Sequence, residues 1–366
     1  MISPPVRILI RTDASLEIGT GHVMRCLTLA DALRERGAET LFICRRHRGH
    51  LLEQIRARGH EVRALAPPSP SGAPTDVKPS HAAWLGVGWD EDAQETLQLA
   101  AGERADWLVV DHYALDRRWE QTVRPMCRRL MAMDDLADRP HDCDLLLDPS
   151  LGREAGRYAG LVSDGTTMLL GPQYSLLRSE FSDARAESLA RRRTPELRRV
   201  LITMGGVDKD NVTCAVLEAL DTSSLPPDAR IVAVMGPYSP WLEKVRLRAA
   251  QMRVATQVCV GVTNMARLMA LSDLAIGAGG GTSWERCCMG LPAFILSLAE
   301  NQHTMAKTLQ DAGAVIAVGS AAELAYRLDE LLAAGAMESF LARASCDAAR
   351  ITDGQGAERV CRQMLK

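Results

Sequence analysis

The chain has 366 residues, 47% of them apolar and 24% charged, with a net charge of −3 at pH 7. That balance excludes a mainly disordered chain, and the net charge excludes electrostatic nucleic-acid binding by the chain as a whole. At about 150 residues per domain the length corresponds to two domains, and no apolar run is long enough to span a bilayer.

The first half alternates short apolar runs with helical spacing. Strands are expected at 7–11, 40–44, 107–111 and 130–134. Apolar residues at 23, 26, 27, 30 and 33 predict a helix over 23–33, and further helices are expected at 51–58, around Glu95 and around Trp119. The Pro- and Ser-rich stretch 66–79 reads as a surface loop. Alternation of this kind implies parallel strands joined by crossover helices. Residues 171–198 are polar and Arg-rich and read as a linker. A second series then follows, with strands expected at 200–204, 230–235, 256–260, 274–277, 293–296 and 315–318. Two helices, 322–334 and 337–350, are expected to close it. The domains are therefore expected at 1–170 and 199–366, both doubly wound α/β. Ligands of such sheets bind at the carboxyl ends of the strands, which here predicts a central cleft.

The opening residues predict no secretory leader, so the expected location is cytoplasmic. Ten cysteines are scattered without a Cys-x-x-Cys pair. They are expected to be reduced thiols packed as small hydrophobes, Cys26, Cys287 and Cys288 among them.

The first strand ends at Arg11-Thr12-Asp13 and leads to Ile18-Gly19-Thr20-Gly21-His22-Val23-Met24-Arg25. Gly19 and Gly21 allow a tight turn and a close approach to a ligand. Met24 occupies the third glycine position of a dinucleotide fingerprint, and no Gly-Lys-Ser/Thr follows, so the turn is neither that fingerprint nor a P-loop. A histidine at the positive end of a helix is disfavoured as imidazolium, which suits a neutral base. A histidine that only caps the helix fits the local residues equally well.

In the second half, Met204-Gly205-Gly206-Val207-Asp208 and Gly277-Ala278-Gly279-Gly280-Gly281-Thr282-Ser283-Trp284-Glu285 each follow a strand. Both offer glycines and free backbone N–H groups, the makings of an anion site, and two such turns suggest a diphosphate. Glu285 could accept hydrogen bonds from ribose hydroxyls. Asp111-His112-Tyr113 and Asp134-Asp135 end first-domain strands. The spacing of Asp138, His141, Asp142 and Asp144 fits no standard metal site. The basic run Arg45-Arg46-His47-Arg48 reads as a solvated face or an anion contact.

Together, Arg11-Thr12-Asp13, 18–25, 110–113, 134–139, 204–206, 277–287 and Glu300-Asn301-Gln302 resemble one family. It is the UDP-2,4-diacetamido-2,4,6-trideoxy-β-L-altropyranose hydrolases of pseudaminic acid biosynthesis. The resemblance runs from about residue 7 to 315. It implies a GT-B-like fold of two Rossmann-like domains, with the nucleotide held by the C-terminal one. It also implies inverting hydrolysis of a sugar C1–O bond with release of UDP, and neither a metal nor a cofactor.

By resemblance, His22 is the catalytic base that activates water. Gly205, Gly206, Gly280, Gly281 and Thr282 line the diphosphate, Glu285 binds ribose, and Asn301 and Gln302 meet sugar or phosphate. Asp13, Gly19, Gly21, Arg25, Asp111, Tyr113 and Asp135 are expected on the sugar side. Pro149-Ser150 stands where relatives are expected to carry polar amides. The expected partners are a UDP-sugar and water, without nucleic acid or stable membrane association. A monomer fits this reading, and the sequence does not set the oligomeric state. Two other readings compete: a UDP-sugar-dependent GT-B glycosyltransferase and a non-catalytic UDP-sugar-binding module.

Overall fold

A computed structural model describes residues 4–68, 79–100, 104–237, 239–297 and 300–366, the side chains of residues 300 and 301 excepted. It divides into two compact units, residues 1–176 with 356–366, and residues 177–355.

The first unit holds strands β1 (Arg7–Thr12), β2 (Glu39–Arg45), β3 (Glu61–Leu65), β4 (Ala105–Asp111), β5 (Cys127–Met133), β6 (Leu145–Asp148) and β7 (Thr167–Leu170). All pair in parallel, in the order β3-β2-β1-β4-β5-β6-β7. A parallel sheet is covered on both faces, so its central strands are apolar throughout rather than alternating. Ile8 and Ile10 of β1 pack with Val23, Leu27 and Leu33 on one face. On the other face Leu9 packs with Leu108, Val110 and the fully buried Trp119. The chain winds outward through β2 and β3, then returns to β4 on the far side of β1. This reversal leaves a crevice where the ends of β1 and β4 lie side by side, with Thr12 paired to Asp111.

The second unit repeats the winding with β8 (Arg199–Thr203), β9 (Arg230–Met235), β10 (Ala255–Val260), β11 (Leu274–Ala278), β12 (Ala293–Leu296) and β13 (Val315–Val318). Their order is β10-β9-β8-β11-β12-β13, so the crevice here lies between β8 and β11. Val200, Ile202, Ile231 and Ile276 form its core with Leu217, Leu324 and Phe340 from the covering helices.

Three expectations need correction. Residues 171–198 are not a linker, because they contain the helix Ser179–Arg191, which packs on the second unit. Arg192 of the Arg-rich run is buried and donates to the carbonyls of Met289, Ser272 and Met269 at 3.0, 2.7 and 2.8 Å. These carbonyls lie where two helices end and carbonyls outnumber intrahelical donors, so a fan of N–H groups is used there for structure. The chain also does not end in the second unit. Its last helix, Gly356–Met364, buries Val360, Cys361 and Met364 against the first sheet, and Trp107 Nε1 donates to the Met364 carbonyl at 2.9 Å. Finally, β3, β6 and β7 are additional strands. β3 carries Glu61 and Arg63 among its five residues, and β6 and β7 are reached through loops and a 3-10 turn in place of the helices that mark the other strands.

The basic run 45–48 is likewise not one surface. Arg45 is fully buried and bonds to Asp92 at 2.7 Å and Glu95 at 2.6 Å, while Arg46 and Arg48 are exposed. Asp92 also pairs with Arg11 at 2.7 Å and accepts from Trp119 Nε1 at 2.9 Å. Buried charges of this kind persist because each is paired and hydrogen-bonded. Of the ten free cysteines, Cys259 is half-buried, Cys346 exposed and the rest buried.

Candidate active site

His22 lies in the first turn of the helix Gly21–Arg34, directly over the β1–β4 crevice, and is 8% exposed. Gly19 makes the turn that brings it there: its φ of 79° is open to glycine, and its N–H donates to the Ser15 carbonyl at 2.9 Å. The ring's Nδ1 is 2.6 Å from Asp111 Oδ1. A buried carboxylate at that distance takes the Nδ1–H as a donor, which leaves the Nε2 lone pair free to accept a proton. Tyr113 supports the ring edge-on, with centroids 4.5 Å apart and planes at 84°.

Arg25, one turn along the same helix face, locks the carboxylate in place. Its Nε and Nη2 fork onto Asp111 at 2.7 and 2.6 Å, and its Nη1 reaches Asp135 at 2.9 Å. Burial opposes the charge on Asp111, but Arg25 and then His22 outweigh it and hold the carboxyl well below its ordinary range. Tyr113 donates its hydroxyl to Asp135. Burial, reinforced by Asp135, pushes that phenol well above its usual value, so it remains a donor. Trp84 stacks on Tyr113 with centroids 5.7 Å apart, and His81 meets both rings. His81 and Trp84 were not expected at the site, since only spatial proximity links them to it.

Two expected sugar contacts are corrected. Asp111 is fully buried with both oxygens engaged, so it positions His22 instead of touching a substrate. Asp13 is also fully buried: it pairs with Arg11 at 2.7 Å, accepts the Arg45 N–H at 2.6 Å, and lies 3.4 Å from His112 Nε2. Burial pushes the His112 imidazole down to about 3, and its Nδ1 accepts the Ala114 N–H, so the proton rests on Nε2 facing Asp13. Arg25 and Asp135 keep partly exposed side chains, 21% and 19%, and Gly21 borders open space.

Asp134 shapes the loop that presents Asp135. It accepts from the N–H groups of Leu136 and Ala137 and from Arg139. Buried His141 lies against it at 3.6 Å and against Glu120 at 2.7 Å. Burial alone would lower the His141 imidazole, but Glu120 and Asp134 push it up to about 9. A raised histidine contributes fully below its unfolded value of about 6.5, and the contribution fades as pH rises through the folded value. Stability to urea is therefore expected to fall by about 3 kcal/mol between pH 6 and pH 10 from this residue, and His141→Gln should flatten that slope. An unchanged slope in the variant would refute the coupling.

In the second unit, Gly205 has a φ of 87°, which the turn after β8 requires. Gly206 is exposed, and its carbonyl packs so closely on Gly236 that a side chain there would collide. Asp208 accepts the N–H groups of Val212 and Thr213 at 2.8 and 3.0 Å, so those donors of the following helix are already engaged. The second turn differs. Gly280 and Gly281 have ordinary φ values, and a Cβ at either would meet nothing within 4 Å. Neither fold geometry nor packing demands glycine there, so the turn has room on its open side. Gly280→Ala and Gly281→Ala should keep the melting temperature of the parent or raise it slightly, while lowering affinity for UDP by calorimetry. A large loss of stability would show that the glycines serve the fold.

Thr282 is half-buried beside this turn, and Trp284 is buried beneath it. The Glu285 side chain is 21% exposed, with Arg178 at 3.7 Å. Burial pushes its carboxyl up against the pull of Arg178. Gln302 packs against Gly279, and the side chain of Asn301 lies outside the described residues. Among the described residues no cluster of three or more His, Cys, Asp or Glu side chains could hold a metal, and no helix is long and apolar enough to cross a membrane.

No family model matches the chain. It is 24% identical over 309 residues to the UDP-2,4-diacetamido-2,4,6-trideoxy-β-L-altropyranose hydrolase of Campylobacter jejuni, covering 84% of this chain and 97% of that one. The chain is similar to this hydrolase along most of its length. It is also 34% identical over 158 residues to the spore coat polysaccharide biosynthesis protein SpsG of Bacillus subtilis, which covers 43% of this chain. A Methanocaldococcus jannaschii protein matches at 26% over 301 residues, 81% of this chain. The matches span 57% of the archaeal protein and 45% of SpsG.

Among solved structures, Acinetobacter baumannii MurG superposes with a TM-score of 0.67 at 14% identity, covering 99% of both chains. The rhamnosyltransferase SpnG with thymidine diphosphate gives 0.63 at 18%, over 99% of this chain and all of that one. Anabaena HepE in complex with UDP-glucose gives 0.56 at 14%, over 98% and 99%. These likenesses show the fold: GT-B-like, with two Rossmann-like α/β domains.

Proposed function

We propose that the protein hydrolyses a UDP-linked 2,4-diacetamido-2,4,6-trideoxy sugar at its anomeric C1–O bond, serving pseudaminic acid biosynthesis. The observation that carries this reading is the His22–Asp111 pair, a buried carboxylate 2.6 Å from Nδ1 of a histidine whose Nε2 is left to accept a proton. Water is a weak nucleophile at neutral pH, and a base within hydrogen-bond reach raises its reactivity. One water gives a proton to Nε2 as its oxygen bonds to C1. The C1–O electron pair departs with the diphosphate, and a single displacement inverts the anomeric centre. UDP is a good leaving group, and the N–H groups of Gly205, Gly206 and Gly281 would stabilise the charge that develops on it. Arg25, Tyr113 and Asp135 supply polar contacts for the sugar. The similarity to the Campylobacter hydrolase along 84% of the chain supports the same reading.

The deciding experiment incubates the protein with UDP-diacetamido sugars in ¹⁸O-labelled water and follows the products by NMR and mass spectrometry. Label in the sugar, with the opposite anomer formed first, is expected. Label in the phosphate would reject attack at C1. A second reading, a UDP-sugar glycosyltransferase, draws on the rhamnosyltransferase among the structural likenesses. Release of UDP in buffer without any acceptor would exclude transfer as the main activity.

A further inference from the structure

A buried cation outside ion-pair distance of any described carboxylate lies beneath the second glycine turn, with the neighbouring Glu285 acting on it only at longer range. Arg286 is 2% exposed, and among the described residues no carboxylate lies within ion-pair distance of it. Its Nη2 donates to the Ala278 carbonyl and the Ser283 hydroxyl, both at 2.9 Å. The same hydroxyl accepts the Gly280 N–H at 3.4 Å, so the guanidinium holds the turn from below. Its Nε and Nη1, together with Thr203 Oγ1, have no hydrogen-bond partner among the described residues. Nη1 presses on Gly277, which pairs with Thr203 across β11 and β8; a Cβ on Gly277 would lie 2.8 Å from the Thr203 carbonyl and nearer still to Nη1. The cation therefore occupies the crevice at which the second sheet reverses its order, under the turn whose Gly280 and Gly281 are open for a ligand.

Arg192 is the internal comparison. Burial pushes both guanidinium groups down to about 10. Arg192, however, gives Nε, Nη1 and Nη2 to backbone carbonyls, which accounts for it structurally. Arg286 leaves two of its three nitrogens unused. A buried charge that is neither paired nor fully hydrogen-bonded is costly, and an anion brought close by would offset that cost.

We infer that Arg286 is a positioning residue for a nucleoside diphosphate, holding the Ala278–Ser283 turn in shape and supplying the positive charge that its phosphates offset. The ligand meets the turn, and Arg286 acts through it. This inference rests on the reading of residues 177–355 as the UDP-binding unit.

Calorimetric titration of uridine, UMP and UDP into the wild-type protein, Arg286→Met and Arg286→Lys tests it, with melting temperatures measured alongside. In the wild type, affinity should rise with each phosphate. In Arg286→Met, uridine should bind as before, while the gain from the phosphates shrinks by about tenfold or more. Equal losses for all three ligands, or no loss, would overturn the role of Arg286. A wild type that binds none of them would instead overturn the nucleotide reading itself. Arg286→Lys, which keeps the charge, should keep most of the gain from the phosphates; where Arg286→Met does not fold, Arg286→Gln carries the same comparison, and pyrophosphate alone should raise the melting temperature of the wild type. No such rise would count against the charge.

Discussion

Replacing His22 with alanine is expected to lower turnover by about 10²- to 10⁴-fold while UDP affinity and the melting temperature stay near those of the parent. The proposed base is lost, but the fold is spared for a specific reason. Asp111 keeps its fork of hydrogen bonds from Arg25, so removing the imidazole strands no buried charge. His22 stands at the start of its helix, where the alanine side chain is easily accommodated. The glycine turns expected to hold the nucleotide belong to the other unit and are untouched. The measurement is kcat and KM for UDP release, with UDP binding measured separately. Turnover near that of the wild type would remove the base from His22.

Asp111→Asn is expected to be as damaging to turnover, on the order of 10⁴-fold, although the replaced group touches no substrate. Asparagine can offer its amide N–H to Nδ1, which favours the tautomer with its proton on Nε2. The ring then presents a donor where the water needs an acceptor. Unlike the histidine variant, this one should also be less stable. Arg25 loses its bidentate partner and keeps only Asp135, a loss of about 1–3 kcal/mol for hydrogen bonds to a charged group in a largely buried setting. The Asp111 carboxyl is held below its ordinary range, so its contribution is present above about pH 4 and fades on acidification. The variant's stability deficit should accordingly shrink at low pH. The double variant His22→Ala, Asp111→Asn should be no slower than His22→Ala alone, because the two residues act as one unit. A further multiplicative loss would show that Asp111 acts independently of the histidine.

Much of the fold was legible in the chain itself. Buried parallel strands are short uninterrupted apolar runs, and the alternation of such runs with helical spacing marked most of both sheets. β12 and β13 stand where they were expected, at Ala293–Leu296 and Val315–Val318. The glycine turns were also visible, because glycine between a strand and a helix carries a conformational meaning that needs no neighbour. What escaped broke the alternation or returned from far away. Loops and a 3-10 turn join β5, β6 and β7 in place of helices, and the helix Gly356–Met364 rejoins a sheet whose last strand ended at Leu170.

The site divides along the same line. Sequence by itself determined which residue types stand at the strand ends: His22 after a glycine turn, Asp111-His112-Tyr113, Asp134-Asp135 and the Gly277–Gly281 run. It also carried the likeness to the hydrolases. Only the tertiary structure decided what these residues do to one another. Hydrogen bonds between positions 22 and 111, or 25 and 135, depend on β4 lying beside β1, and strand order is a property of winding, not of local pattern. Burial is decided the same way, since whether a charge meets water or another charge depends on what folds over it. Asp111 and Asp13 thus moved from expected sugar contacts to buried supports, and Arg45 from a surface run to an internal ion pair.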